Sequence, residues 1–300
     1  LSLFQSMYRH RWLYVMMLPS LAYYLVYKYA PMAGLVIAFK DYNLFDGLWN
    51  SPWVGLKHFR DVFSNREFAV LLRNTLLIST YKIVFGMLPD LALAVLINEV
   101  RLAWYRKTVQ TIVYFPYFLS WVIVYGILLM FLTPDNGLIN QLLQQFGLKP
   151  ISFLTSNDWF RSVLVVSEIW KDIGVGSVIY LAAMAGIDPQ LYEAAEMDGA
   201  GRWKQIWHIT LPGVRNVFVL LLILKLGHIL DAGFAQIYVL YNSLVYETAD
   251  IIDTWVFRRG LEQMQYSYAT AVGLFKSVVG FVMVVIANQV AKKFGDNGIW

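Results

Sequence analysis

Apolar residues gather in six long stretches along the chain, at about 12–39, 74–97, 109–132, 161–187, 214–241 and 268–291, with shorter polar segments between them. Each stretch approaches the roughly 17 to 25 residues that a helix needs to cross about 30 Å of hydrocarbon. The pattern predicts an all-α polytopic membrane protein of six transmembrane helices in a single domain over 1–300. Several stretches are interrupted. The first holds Pro19, Lys28 and Pro31, the second Lys82 and Pro89-Asp90, and the third Pro116. Glu168, Lys171 and Asp172 fall in the fourth, and Lys225, His228 and Asp231 in the fifth. Of the connecting segments, 40–71 is rich in aromatics and mixed charge, 133–160 opens with the turn residues Pro134-Asp135-Asn136-Gly137, and 242–267 is polar.

The segment 188–213 differs from the other connections because its small and polar residues have helical punctuation. Asp188 can cap a helix that has Pro189 at its first position, where the missing N–H costs nothing. On that helix Leu191, Ala194 and Ala195 share one face, and Glu193 and Glu196 point elsewhere. Gly199 and Gly201 supply a turn. A second short helix then places Trp203, Ile206, Trp207 and Thr210 on one face, limited by Pro212. Two short helices at an angle form a knob that can seat in another protein's cleft.

Composition agrees with the membrane reading. The chain is 58% hydrophobic and 15% charged, where soluble domains run at about 25% charged. Its net charge of +4 fits lysines and arginines near headgroups and not a nucleic-acid surface. With both ends cytoplasmic, the inner segments hold Arg9, Arg11, Arg101, Arg106, Lys107, Arg202, Lys204, Arg215, Lys292 and Lys293. The outer segments hold Lys40, Lys57, Arg60, Arg66, Lys149, Arg258 and Arg259. The inner segments are shorter in total, so their basic density is the higher, and 188–213 falls on the cytoplasmic side. There are no cysteines, the four histidines have no metal-ligand spacing, and Gly-x-Ser-x-Gly does not occur. Lys276-Ser277 follows Phe275 where a phosphate-binding loop needs glycine, so the chain has no ATPase site of that kind.

Glu193-Ala194-Ala195, Asp198-Gly199-Ala200 and Ile209-Thr210-Leu211-Pro212, in that order, resemble the EAA motif of permease subunits in binding-protein-dependent ABC importers. The resemblance extends to the maltose and oligosaccharide branch through Leu18-Pro19-Ser20, Val54-Gly55-Leu56-Lys57-His58-Phe59 and Asn74-Thr75-Leu76. Ala235-Gln236-Ile237-Tyr238-Val239-Leu240 looks like the subgroup importing complex oligosaccharides. It implies the type I importer permease fold, with Glu193, Ala194, Ala195, Asp198, Gly199, Leu211 and Pro212 coupling to a separate ATPase subunit. It also implies a second, homologous permease, a dimer of ATP-binding subunits that hold ATP and Mg, an extracytoplasmic solute-binding protein, and a place in the bacterial inner membrane. No cofactor is implied for this chain. The segments 40–71, 133–160 and 242–267 would face the binding protein.

For the substrate pathway, ionisable groups at membrane depth are the default candidates: Glu168, Lys171, Asp172, Lys225, His228, Asp231, Lys82 and Lys276, with Trp170 available to stack on a sugar. The triplet spacing of Lys225, His228 and Asp231 puts them on one slowly rotating helix face. So many embedded lysines suit an acidic oligosaccharide, a uronate polymer such as alginate. Two other readings predict different features. An ion-gradient-driven secondary transporter would show repeated halves, and a membrane enzyme would show a clustered catalytic set. The sequence has no convincing repeat and no such cluster.

Overall fold

Helices make up nearly all the regular structure of the computed structural model, which describes residues 9–293. The ends of the expected domain, 1–8 and 294–300, lie outside the described residues. An antiparallel bridge pairs Lys40 with Trp53. The chain gathers into two compact units. One runs up to Asn65 and adds Val256–Phe275, and the other comprises Arg66–Trp255 and the chain from Lys276.

In the first unit, α1 (Arg11–Tyr24) continues through a π turn, Leu25–Tyr29, and a 3₁₀ segment, Ala30–Phe39. These 29 residues are long and apolar enough to cross a membrane. Pro31 lies just inside the 3₁₀ segment, where the wider π turn before it relieves the clash of its ring with the preceding turn. Beyond Phe39, Lys40 donates to the carbonyls of Leu48 (2.8 Å) and Trp49 (3.1 Å), which holds the short helix Gly47–Asn50 in place.

The second unit is built on α2 (Arg66–Glu99), 34 residues long. It begins eight residues before the expected 74 because Phe68 and Leu71 already bury an apolar face. The third expected span is broken. α3 (Ala103–Tyr114) ends in a 3₁₀ turn, Phe115–Phe118, containing Pro116, and Ser120 caps a new helix, α4 (Trp121–Leu132), bent by 103° from the first part. α5 (Asn157–Ala185) is the fourth stretch. It is about 43 Å long at 1.5 Å per residue, ample to span, but too rich in charge to face lipid throughout.

α6 (Pro189–Met197) is followed by a short helix, Arg202–Gln205, a π turn, Ile206–Thr210, and α7 (Leu211–Gly227). Pro212 therefore does not limit the second short helix: Arg202–Gly227 is one helical run of 26 residues. A proline lacks the N–H for an i−4 bond and crowds that carbonyl, and the widened turn before it removes both conflicts. α7 stops at Gly227, well short of the expected 241, and α8 (Phe234–Leu240) starts afresh after Gly233, whose φ of +90° suits glycine. α9 (Tyr266–Lys293) closes the described chain.

The core of the second unit lies where α2, α5 and α8 meet the segment 245–251. Ile78, Phe160, Leu164, Ala232, Ile237, Leu240, Val245, Ala249 and Ile251 pack there. Within 242–267, read from the sequence as a polar loop, Val245, Ala249, Ile251, Ile252 and Trp255 are buried. Asn74 pins the segment by donating to the carbonyls of Glu247 (2.9 Å) and Asp250 (3.1 Å) while accepting from Arg161 (2.8 Å). The Thr75 hydroxyl accepts from the Ile252 N–H at 3.0 Å.

Candidate coupling helix and intramembrane charge cluster

The knob between α5 and α7 forms from local signals. The Asp188 carboxylate accepts from the Gln190 N–H at 2.9 Å, which caps α6 with Pro189 in its first turn. At the other end the Ala200 N–H reaches the Ala195 carbonyl (2.8 Å) and the Gly199 N–H reaches that of Glu196 (3.0 Å). That is a Schellman termination, and Gly199 takes the left-handed conformation it requires, at φ +74°. Gln205, buried, donates to the Ala200 carbonyl at 3.1 Å and ties the turn to the helix after it. The Tyr192 and Thr210 hydroxyls lie 3.0 Å apart, and Arg202 pairs with Glu99 at the end of α2.

The faces differ in part from the sequence expectation. Tyr192 and Ala195 turn towards the protein, and Leu191, Glu193, Ala194, Glu196, Met197, Asp198 and Gly199 are exposed. Trp203 and Trp207 are exposed too, while Gln205 and Thr210 are buried, the latter within the π turn Ile206–Thr210. Leu211 is half-buried and Pro212 exposed at the start of α7. The result is a short helix closed by hydrogen bonds at both ends, with its outer face exposed.

At membrane depth the structure pairs the lysines. Lys82 on α2 is buried, forms an ion pair with Glu168 on α5, and donates to the Ala232 carbonyl (2.7 Å) and to Gln236 Oε1 on α8. Gln236 in turn donates to the Leu164 carbonyl (2.7 Å) and to Ser167 Oγ (3.0 Å). Lys171 donates to the Tyr117 carbonyl (2.8 Å), lies over the Tyr117 and Trp121 rings, and has Asp172 at 3.7 Å. Lys225 on α7 faces Asp90 on α2 at 3.9 Å. Lys276 on α9 pairs with Asp253. In hydrocarbon such pairing offsets the large cost of a lone charge.

Ser79, Lys82, Glu168, Lys225, His228 and Asp231 line a cleft of about 290 Å³. His228, Asp231 and Lys276 also line a second, of about 360 Å³, between α7 and α9. Most of the sequence candidates thus come together. The helical reason given for the fifth-stretch group does not hold: His228 caps the end of α7 and Asp231 lies in the turn beyond it. Trp170 stands apart, in an apolar groove with Val166, Val163 and Trp159. Sequence reasoning left out Asp90, Gln236, Ser167 and Asp253 as partners. Asp90 had a signal, being an acid in mid-stretch, whereas Asp253 and Gln236 acquire their roles only through long-range packing.

Fold and sites together define a multi-pass membrane permease. The family described as "Binding-protein-dependent transport system inner membrane component" matches residues 83–296, and the chain belongs to it. It is therefore the permease subunit of an ABC importer in the inner membrane. The chain is 49% identical over 292 residues to protein LplB of Bacillus subtilis, covering 97% of this chain and 92% of the relative. It is equally similar, at 49% over 292 residues, to the polygalacturonan/rhamnogalacturonan transport system permease protein YteP of the same organism, covering 97% of this chain and 91% of the relative. A chain of a bacterial alginate ABC transporter, solved in complex with an alginate pentasaccharide-bound periplasmic protein, superposes with a TM-score of 0.90 at 42% identity, covering 99% of both chains. In a further structure, of a transporter importing the acidic polysaccharide alginate, the corresponding values are 0.89, 43%, 97% and 98%.

Proposed function

We propose that this permease carries an acidic oligosaccharide, such as a fragment of alginate or another uronate polymer, and takes its energy from a separate ATPase through α6. The observation that carries the coupling is the exposed helix Pro189–Met197, fixed at both ends and without a partner for its outer face among the described residues. Ala194 leaves room for a close-fitting cleft, Glu193 and Asp198 offer carboxylates to basic groups, and Gly199 shapes the turn. Leu211 and Pro212 start the helix that receives the movement.

The chain works with a second, homologous permease, an ATPase dimer that binds ATP and Mg, and an extracytoplasmic solute-binding protein. It holds no cofactor of its own, and both its termini are cytoplasmic, in keeping with the denser basic residues of the inner segments. The acidic substrate is supported by the relatives' substrates, since polygalacturonan and alginate carry a carboxylate on each uronic acid unit, and by the lysines of the cleft. Co-purification with the ATPase subunit tests the coupling. Wild type should retain the ATPase, and Gly199→Asp should lose it or its substrate-stimulated hydrolysis. An ATPase that is absent from both preparations, or retained and fully stimulated in the variant, contradicts the role of α6.

A further inference from the structure

The lysines near the cleft are not equivalent. Lys82 has three donors and three acceptors for them: Glu168, the Ala232 carbonyl and Gln236. Its side chain is only 7% exposed. Lys171 is likewise engaged by the Tyr117 carbonyl and covered by two aromatic rings. Lys225 differs on every count. Among the described residues its ion pair is with Asp90, at 3.9 Å and beyond hydrogen-bonding distance, with Asp172 a more distant charge, and its side chain is 42% exposed in the cleft beside His228 and Asp231. Asp90 is the fixed member of that pair. Its side chain is 13% exposed and its carboxylate fills a notch over Gly176, where a Cβ would have no room.

From this asymmetry we infer that Lys225 reads substrate carboxylates by exchange: a uronate carboxylate in the cleft takes the ammonium from Asp90, which otherwise holds its place. Lys82 and Lys171 are scaffold. The chemistry is a swap of one carboxylate for another at one ammonium: the number of ion pairs is conserved, and the added negative charge passes to Asp90, which with Lys225 lines an adjoining small pocket. The loose geometry is what makes the swap cheap. An ammonium already bonded at 2.8 Å would surrender a charge-assisted hydrogen bond, and Lys225 has none to surrender. The inference rests on the acidic-oligosaccharide reading above and adds to it which side chain recognises the acid and what competes for it.

Exchange predicts opposite effects from the two halves of one ion pair. Binding of a tri-uronate would be measured calorimetrically on the purified assembly of this chain with its partner permease and ATPase, without the binding protein. Lys225→Gln should weaken binding by roughly 10- to 100-fold, the range for a hydrogen bond to a charged group, and Lys225→Arg should restore most of it. Asp90→Asn removes the competitor and should tighten binding by about threefold or more. If both variants weaken binding, or neither changes it, the pair is structural and the exchange is wrong. Uptake of the same tri-uronate by wild type in proteoliposomes with the binding protein separates the two ideas. Uptake without the opposite shifts overturns the exchange alone, and no uptake of any uronate overturns the acidic reading and the exchange with it.

Discussion

Among single residues, Lys82 holds the most together. Its ammonium joins α2 to α5 through Glu168 and to the start of α8 through Ala232 and Gln236. Removing one member of a buried pair leaves the other charge uncompensated, at a cost of about 3 kcal/mol or more. Lys82→Ala should therefore lower the thermal unfolding midpoint of the detergent-solubilised assembly by several degrees, and Lys82→Met with Glu168→Gln should recover part of that loss. An unchanged midpoint in Lys82→Ala would place this lysine with Lys225 as a mobile group. Which acid meets which lysine was not legible in the sequence. Lys82 and Glu168 stand 86 positions apart, and nothing in the local pattern of either distinguishes that pairing from Lys171 with Glu168.

Elements were legible where their signals are local. The Asp188 cap, Pro189 and the turn at Gly199 mark α6 within a dozen residues, and the structure has all three. Asp188→Ala should cost α6 about 1 kcal/mol, read as faster amide exchange at 189–194. Where a boundary depends on a neighbour, the sequence failed. The end of α7 at Gly227 lies against Val284 and Gly280 of α9, and the burial of 245–255 follows from packing against α2 and α5, although Val245, Ile251, Ile252 and Trp255 are interspersed with enough polar residues to look like loop. Asn74→Ala removes the anchor of that segment. It should destabilise the fold by about 2 kcal/mol and expose 245–252 to exchange ahead of global unfolding.

For the whole molecule, hydropathy marked six apolar stretches. Among the described residues four helices, or five with the bent pair taken as one span, are long and apolar enough to cross a membrane. Hydropathy could not separate the surface that meets lipid from the surface that meets water. The structure contains both kinds of concavity, an apolar groove at Val166 and Trp170 and a charged cleft at Lys225 and Asp231. The chain has no cysteine, so single introduced thiols report each one cleanly. In membranes, Asp231→Cys should react with a charged maleimide, whereas Val166→Cys, with its thiol kept from ionising in hydrocarbon, should be at least about tenfold slower. Equal rates would mean that the groove is open to water. The helical run Arg202–Gly227 has a final consequence. It is about 39 Å of unbroken rod, with the exposed knob at one end and Lys225 near the other. On the proposed roles of α6 and Lys225, the free energy that ties ATPase docking to sugar binding is one quantity seen from the two ends of this rod. Whatever factor ATPase docking changes in sugar affinity, sugar must return to the ATPase as the same factor in docking strength.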